Sequence, residues 1–193
     1  LFPFDGDRVL TSDDVIDLTR LPPTLLIVGG GVTGCEFACI FRALGSEVTV
    51  VEQADRLVAA EDEAVSAVLQ REMKKQGIRV VTGVGVTGVD RGADAVRVAL
   101  STGEALAVDR VLVAVGRSLN SREIGAEAVG LRAGSRGELV VDERMDTGVD
   151  GVWAIGDVTG RKQLAHAASA EGEVAAARAM GLDARMDFDA IPA

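Results

Sequence analysis

Residues Gly29-Gly30-Gly31-Val32-Thr33-Gly34 have the spacing G-x-G-x-x-G, with an apolar run before them and a helical pattern after them. In that setting each glycine has a physical task. The first permits a tight turn, the second lets the backbone approach a pyrophosphate, and Gly34 allows a helix to pack closely on a strand. The free N–H groups and macrodipole of the helix then favour the anion. Glu52 follows 18 residues after Gly34, at the end of the next apolar run, where a carboxylate can accept hydrogen bonds from both hydroxyls of an adenosine ribose. The pattern therefore points to NAD. A 2′-phosphate at about 4 Å from that carboxylate would cost roughly 1 to 4 kcal/mol in repulsion. Arg56 is the nearby rival, as a phosphate ligand.

Other residues with chemical potential read more plainly. Glu36, in the first turn or so of the glycine-motif helix, stabilises the helix dipole. Cys35 and Cys39 are the two cysteines, four apart on a helical segment, where bridging geometry is poor; free cysteines so placed behave as small buried hydrophobes. His166 is the single histidine. In Val152-Trp153-Ala154-Ile155-Gly156-Asp157-Val158 an apolar run ends on Gly-Asp, and an acid at such a turn needs donors, which a polyol chain provides. No metal ligands are assigned.

The elements that must position these residues follow from pattern. Residues 24–28 form a continuously apolar strand entering the glycine turn, and residues 32–44 carry Phe37, Ala38, Ile40, Phe41 and Leu44 at helical spacing up to the stop at Gly45. Residues 48–51 form a second buried strand, 61–76 a second helix and 78–81 a third strand. Ser12 reads as the N-cap of a short helix that Leu21-Pro22-Pro23 ends. Strands at 84–89, 96–100, 105–108 and 111–115 are expected as an antiparallel meander. The fold class is thus α/β, a Rossmann-like three-layer dinucleotide-binding domain with a parallel sheet and an antiparallel meander. After Gly116 the chain turns loop-rich, with short strands expected at 139–141 and 152–155 and an Ala-rich helix from about 163 to 180.

The chain has 193 residues, 48% of them hydrophobic, and a formal charge of −10. That is the make-up of a globular protein, and its acidity argues against nucleic acid or an anionic membrane surface as partner. No apolar run reaches the roughly 20 residues needed to cross a bilayer, and no secretory leader is legible. The expectation is a cytoplasmic protein whose partners are small-molecule dinucleotides.

The Val152–Val158 run resembles the second flavin motif of the pyridine nucleotide–disulfide oxidoreductases. Further blocks are similar to the dihydrolipoamide dehydrogenase branch of that family, in family order: residues 10–12, 25–41, 51–57 (Val-Glu-Gln-Ala-Asp-Arg-Leu), 111–117 and 164–172. The resemblance implies that Gly29 to Gly34, Glu36, Glu52 and Gly116 border NAD, with Glu36 beside the nicotinamide. It implies that Asp157, after Gly156, binds the ribityl chain of FAD, and that Leu164, Ala165 and His166 border the flavin ring chiefly through backbone. The helix that follows would direct its N-terminal dipole at the flavin pyrimidine edge. It assigns the catalytic histidine elsewhere, so His166 is not read as the base.

By the same resemblance, residues 1–23 would be the end of a first FAD segment and a linker, 24–119 the NAD-binding domain, and 120–193 a second FAD segment of an incomplete domain. The first FAD glycine motif, the C-x-x-x-x-C redox pair, the lysine partner of Glu36 and the interface domain with its His and Glu are not in the chain, so no catalytic residue is assigned to it. The whole enzyme would pass electrons from a dithiol, with dihydrolipoamide favoured, through a disulfide and FAD to NAD. It would be a homodimer, within reach of a 2-oxoacid dehydrogenase complex. Soluble transhydrogenases and mercuric reductases share this middle section, and a non-catalytic NAD-sensing module is the reading from another class. Glu52 and the Leu164-Ala165-His166 run favour the dehydrogenase, and Asp157 favours a flavoenzyme over a sensor. The expectation for the chain by itself is NAD binding with no retained FAD; a stoichiometric flavin absorbance band in the purified chain would overturn it.

Overall fold

The computed structural model of the chain describes residues 1–122 and 124–192. Two compact units divide it, Leu1–Gly116 and the chain from Arg117 onward. No helix of the described residues is long and apolar enough to cross a membrane.

The first unit is organised by β2 (Thr24–Val28), whose Leu25, Leu26 and Ile27 are fully buried. A strand apolar at four successive positions, here Leu25 to Val28, must be covered on both faces, which is the situation of a parallel sheet. On one side β2 pairs with β3 (Glu47–Val51), Ile27 opposite Val50, and β3 pairs with β4 (Arg79–Val81). On the other side it pairs with β8 (Arg110–Val113), Ile27 opposite Leu112, and β8 pairs with β1 (Val9–Leu10). The order is β1-β8-β2-β3-β4, all parallel.

Alternate residues of β2 face different layers. Leu25 and Ile27 pack with Cys35, Ala38 and Phe41 of α2 (Val32–Leu44) and Met73 of α3 (Glu63–Lys75). Leu26 and Val28 pack with Val96, Val98 and Leu100 of a three-stranded antiparallel sheet. That sheet consists of β5 (Val86–Arg91), β6 (Val96–Leu100) and β7 (Ala105–Val108), in that order. Helices, parallel sheet and antiparallel sheet make the three expected layers.

The helix ends follow local chemistry. Gly45 stops α2 at φ +112°, in the left-handed region that glycine adopts without steric cost. Asp62 caps α3 by accepting from the Ala64 N–H at 2.8 Å. The short helix α1 (Ser12–Ile16) is capped not by Ser12 but by Thr11, which forms a reciprocal capping box with Asp14.

Three expectations are corrected. Residues 111–115 do not join the antiparallel meander, because β8 runs between β1 and β2. The residues themselves carry the reason: Val111, Leu112 and Val113 are consecutively apolar, with Val111 and Leu112 fully buried, whereas β6 alternates buried and exposed. Residues 1–23 are not separate from the sheet either, since Val9 and Leu10 form its edge strand. The short strands expected at 139–141 and 152–155 are single bridges, Ala133 to Leu139 and Asp146 to Trp153, within a loop-rich unit.

That second unit carries a small core of Leu139, Val141, Met145 and Ala154, against which Trp153, Val174 and Phe188 pack. Its one long helix among the described residues is α4 (Ala165–Ala179).

Asp109 fixes β8 beside β2. The Thr24 N–H and hydroxyl donate to its carboxylate at 2.9 and 2.5 Å, and its own N–H donates to the Thr24 hydroxyl at 2.8 Å. Since β8 is central, Leu112→Ala should cost about 2–5 kcal/mol of stability in urea denaturation. A loss under about 1 kcal/mol would place this strand at the periphery instead.

Candidate functional site

The glycine motif lies where β2 ends and α2 begins. Gly29 sits at φ +110°, and a side chain there would strike the Ala114 carbonyl beyond β8. A Cβ at Gly34 would strike the Gly29 carbonyl, with the Ile27 Cγ2 at 3.4 Å, so this residue governs how closely helix and strand approach. Gly30 is enclosed as well: a Cβ would lie 2.5 Å from Leu57 Cδ2 and 2.9 Å from Glu52 Cβ.

Gly31 is different. Its φ of −72° and ψ of −177° suit any residue, and a Cβ there would meet nothing within 4 Å. It is the N-cap of α2 and supplies no side-chain cap, so the first-turn amides, including those of Val32 and Thr33, have no protein acceptor of that kind. Val32 is exposed at this helix entrance, and Glu36 is exposed one turn on. An uncapped helix N-terminus beneath open space is what an anionic pyrophosphate needs.

Glu52 follows β3 and leans back toward this turn. Its Oε2 accepts from the Gly30 N–H at 2.5 Å and its Oε1 from the Ala54 N–H at 2.6 Å. Carboxylate oxygens accept more than one hydrogen bond each, so the group keeps capacity for ligand hydroxyls. Arg56, the rival phosphate ligand, is engaged locally: its Nη2 donates to the Ala59 carbonyl at 3.0 Å and its Nη1 lies 3.7 Å from Asp55. Gly116 closes the first unit at φ +146°, with open space around it.

The second unit presents its own cluster. Gly156, at φ +74°, opens a 3-10 turn (Gly156–Thr159) that carries Asp157. From α4, the fully buried Glu171 accepts the Gly156 N–H on Oε2 at 2.5 Å. Its Oε1 is buried with no partner among the described residues. Asp157 is half-exposed and paired with Arg117, Nη2 to Oδ2, at 2.6 Å. Leu164 is the N-cap of α4 and gives no side-chain cap; Ala165 and His166 follow, exposed. The His166 imidazole Nε2 lies 3.0 Å from the Pro192 carbonyl. Two uncapped helix starts, one per unit, therefore stand beside an acid on a glycine turn.

A family model described as pyridine nucleotide-disulphide oxidoreductase matches residues 2–172. The chain belongs to this family. It is 40% identical over 194 residues to a dihydrolipoyl dehydrogenase of Chlamydia pneumoniae, covering 98% of this chain and 42% of that relative. It is 39% identical over 191 residues to the dihydrolipoyl dehydrogenase of Bacillus subtilis, with 98% and 42% covered. A glutathione reductase of Burkholderia cepacia is 39% identical over 176 residues, with 91% and 39% covered. Among solved structures, LpdA from Mycobacterium tuberculosis superposes with a TM-score of 0.89 at 33% identity, covering 98% of this chain and 41% of that one. The chain thus spans about two-fifths of the length of the curated relatives it matches. The family's description names a pyridine nucleotide, and the similar RclA from Escherichia coli, 32% identical with a TM-score of 0.85 and covering 92% of this chain and 41% of that one, is described as a flavoprotein disulfide reductase.

In a disulphide oxidoreductase a pair of cysteines invites a redox reading, which the geometry does not favour here. Cys35 and Cys39 are both free thiols, and Cys35 is buried, its Sγ donating to the Gly30 carbonyl at 3.4 Å. Burial pushes the Cys35 thiol up to about 11. The thiolate, the reactive form, is then scarce at neutral pH.

Sequence reasoning named neither Arg117 as the partner of Asp157 nor Glu171 as the holder of Gly156, although both lie in the family-like blocks. Glu171 is one of two acids in an Ala-rich helix, with Glu173, and nothing in the sequence set it apart. Val58, whose N–H donates to the Gly30 carbonyl at 2.8 Å, left no sign. Alkylation with iodoacetamide at pH 7.5 should leave Cys35 unmodified by mass spectrometry and modify it only as pH approaches about 11. Fast labelling of Cys35 at neutral pH would show its thiol to be activated.

Proposed function

We propose that the first unit binds NAD or NADH and that the second contributes to an FAD site, in an oxidoreductase passing electrons between a dithiol or disulfide, FAD and NAD. The observation that carries the nucleotide reading is Gly31. Neither its backbone conformation nor its surroundings require glycine, so what a side chain would displace is a ligand lying on the helix entrance. In this reading the amides of Gly31, Val32 and Thr33 hold the pyrophosphate, with Gly29, Gly30 and Gly34 shaping the turn. Glu52 accepts from the adenosine ribose, Gly116 lines the far side and Glu36 faces the nicotinamide end.

The second unit also fits its cofactor. Asp157 offers a half-exposed carboxylate to a hydroxylated chain, while Leu164, Ala165 and His166 bring the uncapped start of α4 to the ring. Bound flavin would supply the two-electron chemistry that links disulfide to nicotinamide. The residues of this chain bind and orient: Asp157 accepts from the ribityl hydroxyls, and the α4 dipole favours negative charge at the ring edge.

The dihydrolipoyl dehydrogenases among the relatives make dihydrolipoamide the preferred dithiol. The glutathione reductase relative supports a second reading, disulfide reduction by a phosphorylated nicotinamide. Glu52 opposes it, since a 2′-phosphate would meet its carboxylate. A homodimeric enzyme and membership of a 2-oxoacid dehydrogenase complex accompany the first reading, with the cytoplasm as its setting.

Calorimetry separates the readings. The chain should bind NADH at least about tenfold more tightly than NADPH, the equivalent of some 1.4 kcal/mol of repulsion at Glu52. Gly31→Val should abolish NADH binding with little change in melting temperature. Tighter binding of NADPH would select the second reading, and unchanged NADH affinity in a folded Gly31→Val protein would reduce the glycine motif to a turn.

A further inference from the structure

The clamped Gly30 stands out in the glycine motif, and what clamps it includes a strained residue. The Gly30 N–H is taken by Glu52 Oε2 at 2.5 Å, and the Gly30 carbonyl accepts from the Val58 N–H at 2.8 Å and the Cys35 thiol at 3.4 Å. Carbonyl and N–H point oppositely across a trans peptide. Holding the Gly30 carbonyl inward therefore turns the Gly31 N–H outward, where it has no acceptor among the described residues. Val58 makes its contact at φ +41°, a conformation that a β-branched residue adopts only under constraint. The constraint is visible: the buried Ser66 hydroxyl on α3 donates to the Leu57 carbonyl at 2.6 Å, the Glu61 N–H donates to the Val58 carbonyl at 2.8 Å, and Leu57 is fully buried.

We propose that Glu52 and Val58 are positioning residues for the nucleotide, locking the two peptides of Gly30 from opposite sides so that the Gly31 amide and the α2 entrance are preset for a diphosphate. This rests on the reading that the glycine motif binds a dinucleotide, and it gives Glu52 a task separate from its ribose contact. The two tasks predict opposite signs for one measurement. If Glu52 acts on the ribose alone, replacing it removes a like charge near a diphosphate, and a ligand lacking ribose hydroxyls should bind no less tightly. If it sets the loop, such a ligand should bind more weakly despite the charge removed, because glutamine offers one acceptor where two amides need one each.

The probe is 2′,3′-dideoxyadenosine diphosphate, compared with NADH by calorimetry on the full chain. Glu52→Gln, checked for a cooperative melt, should bind the dideoxy compound about tenfold more weakly than the wild-type chain. Equal or tighter binding, with NADH alone weakened, would overturn the inference and assign Glu52 to the ribose only. NADH binding without measurable dideoxy binding by the wild-type chain would overturn it too. Binding of neither ligand by the wild-type chain overturns the dinucleotide reading itself. If Glu52→Gln does not fold, Val58→Gly decides the matter. It frees the strained backbone without altering any ribose contact, and it should weaken both ligands by the same several-fold factor, whereas unchanged affinity overturns the proposal.

Discussion

Contact between the last turn of β2 and the first turn of α2 sets most of the first unit. A side chain at Gly29 would strike the Ala114 carbonyl, and one at Gly34 the Gly29 carbonyl, so strand, helix and the end of β8 meet with no atoms to spare. Interiors are packed to crystal-like density, and a contact this tight transmits position instead of absorbing it. The depth of α2 fixes the height of its open N-terminus above the sheet. The end of β8 fixes where the chain leaves at Gly116. With backbone against backbone at two of the glycines, the freedom left over is concentrated at Gly31, where a Cβ would meet nothing within 4 Å.

The second unit solves a similar problem with less material. Its core is small and its bridges are isolated, yet the Gly156-Asp157 turn is held by a fully buried carboxylate from α4. Glu171 leaves one oxygen unpartnered among the described residues. A half-satisfied buried acid costs stability and is kept where the position it enforces matters more. Both units therefore put a carboxylate under a glycine turn, Glu52 beneath Gly30 and Glu171 beneath Gly156.

Much of this was legible from spacing and alternation. The continuous apolar run of β2, the helical period of α2 and the interval from the glycines to Glu52 each have one physical reading, and the structure agrees with the elements they imply. The meander was legible as strands because β6 alternates, but not in its extent. A run such as Val111–Val113 says that both faces are covered, and it does not say which sheet covers them. Strand signals at 139–141 and 152–155 misled because buried apolar residues in a small core need no ladder, only contact with α4 and Phe188. Thr11 displaced Ser12 as cap because Asp14 could answer it reciprocally. The strained Val58 was illegible, since its N–H is held by the carbonyl of Gly30, distant in sequence, and the preceding Leu57 carbonyl by Ser66 on α3.

The strand order has a consequence for how the chain acquires its shape. β8 stands between β1 and β2, yet 81 residues separate the ends at Val28 and Arg110, counted between them as 110 − 28 − 1. Until those residues have left the ribosome, β1 lacks its neighbour and β2 shows one open edge, a template for mispairing with another nascent chain. Closing so long a loop before any ladder forms is entropically costly, and topologies rich in distant pairings fold slowly. β8 comes last in the chain among the strands of this sheet yet lies between β1 and β2, and the Asp109–Thr24 contact at its entry fixes it beside β2.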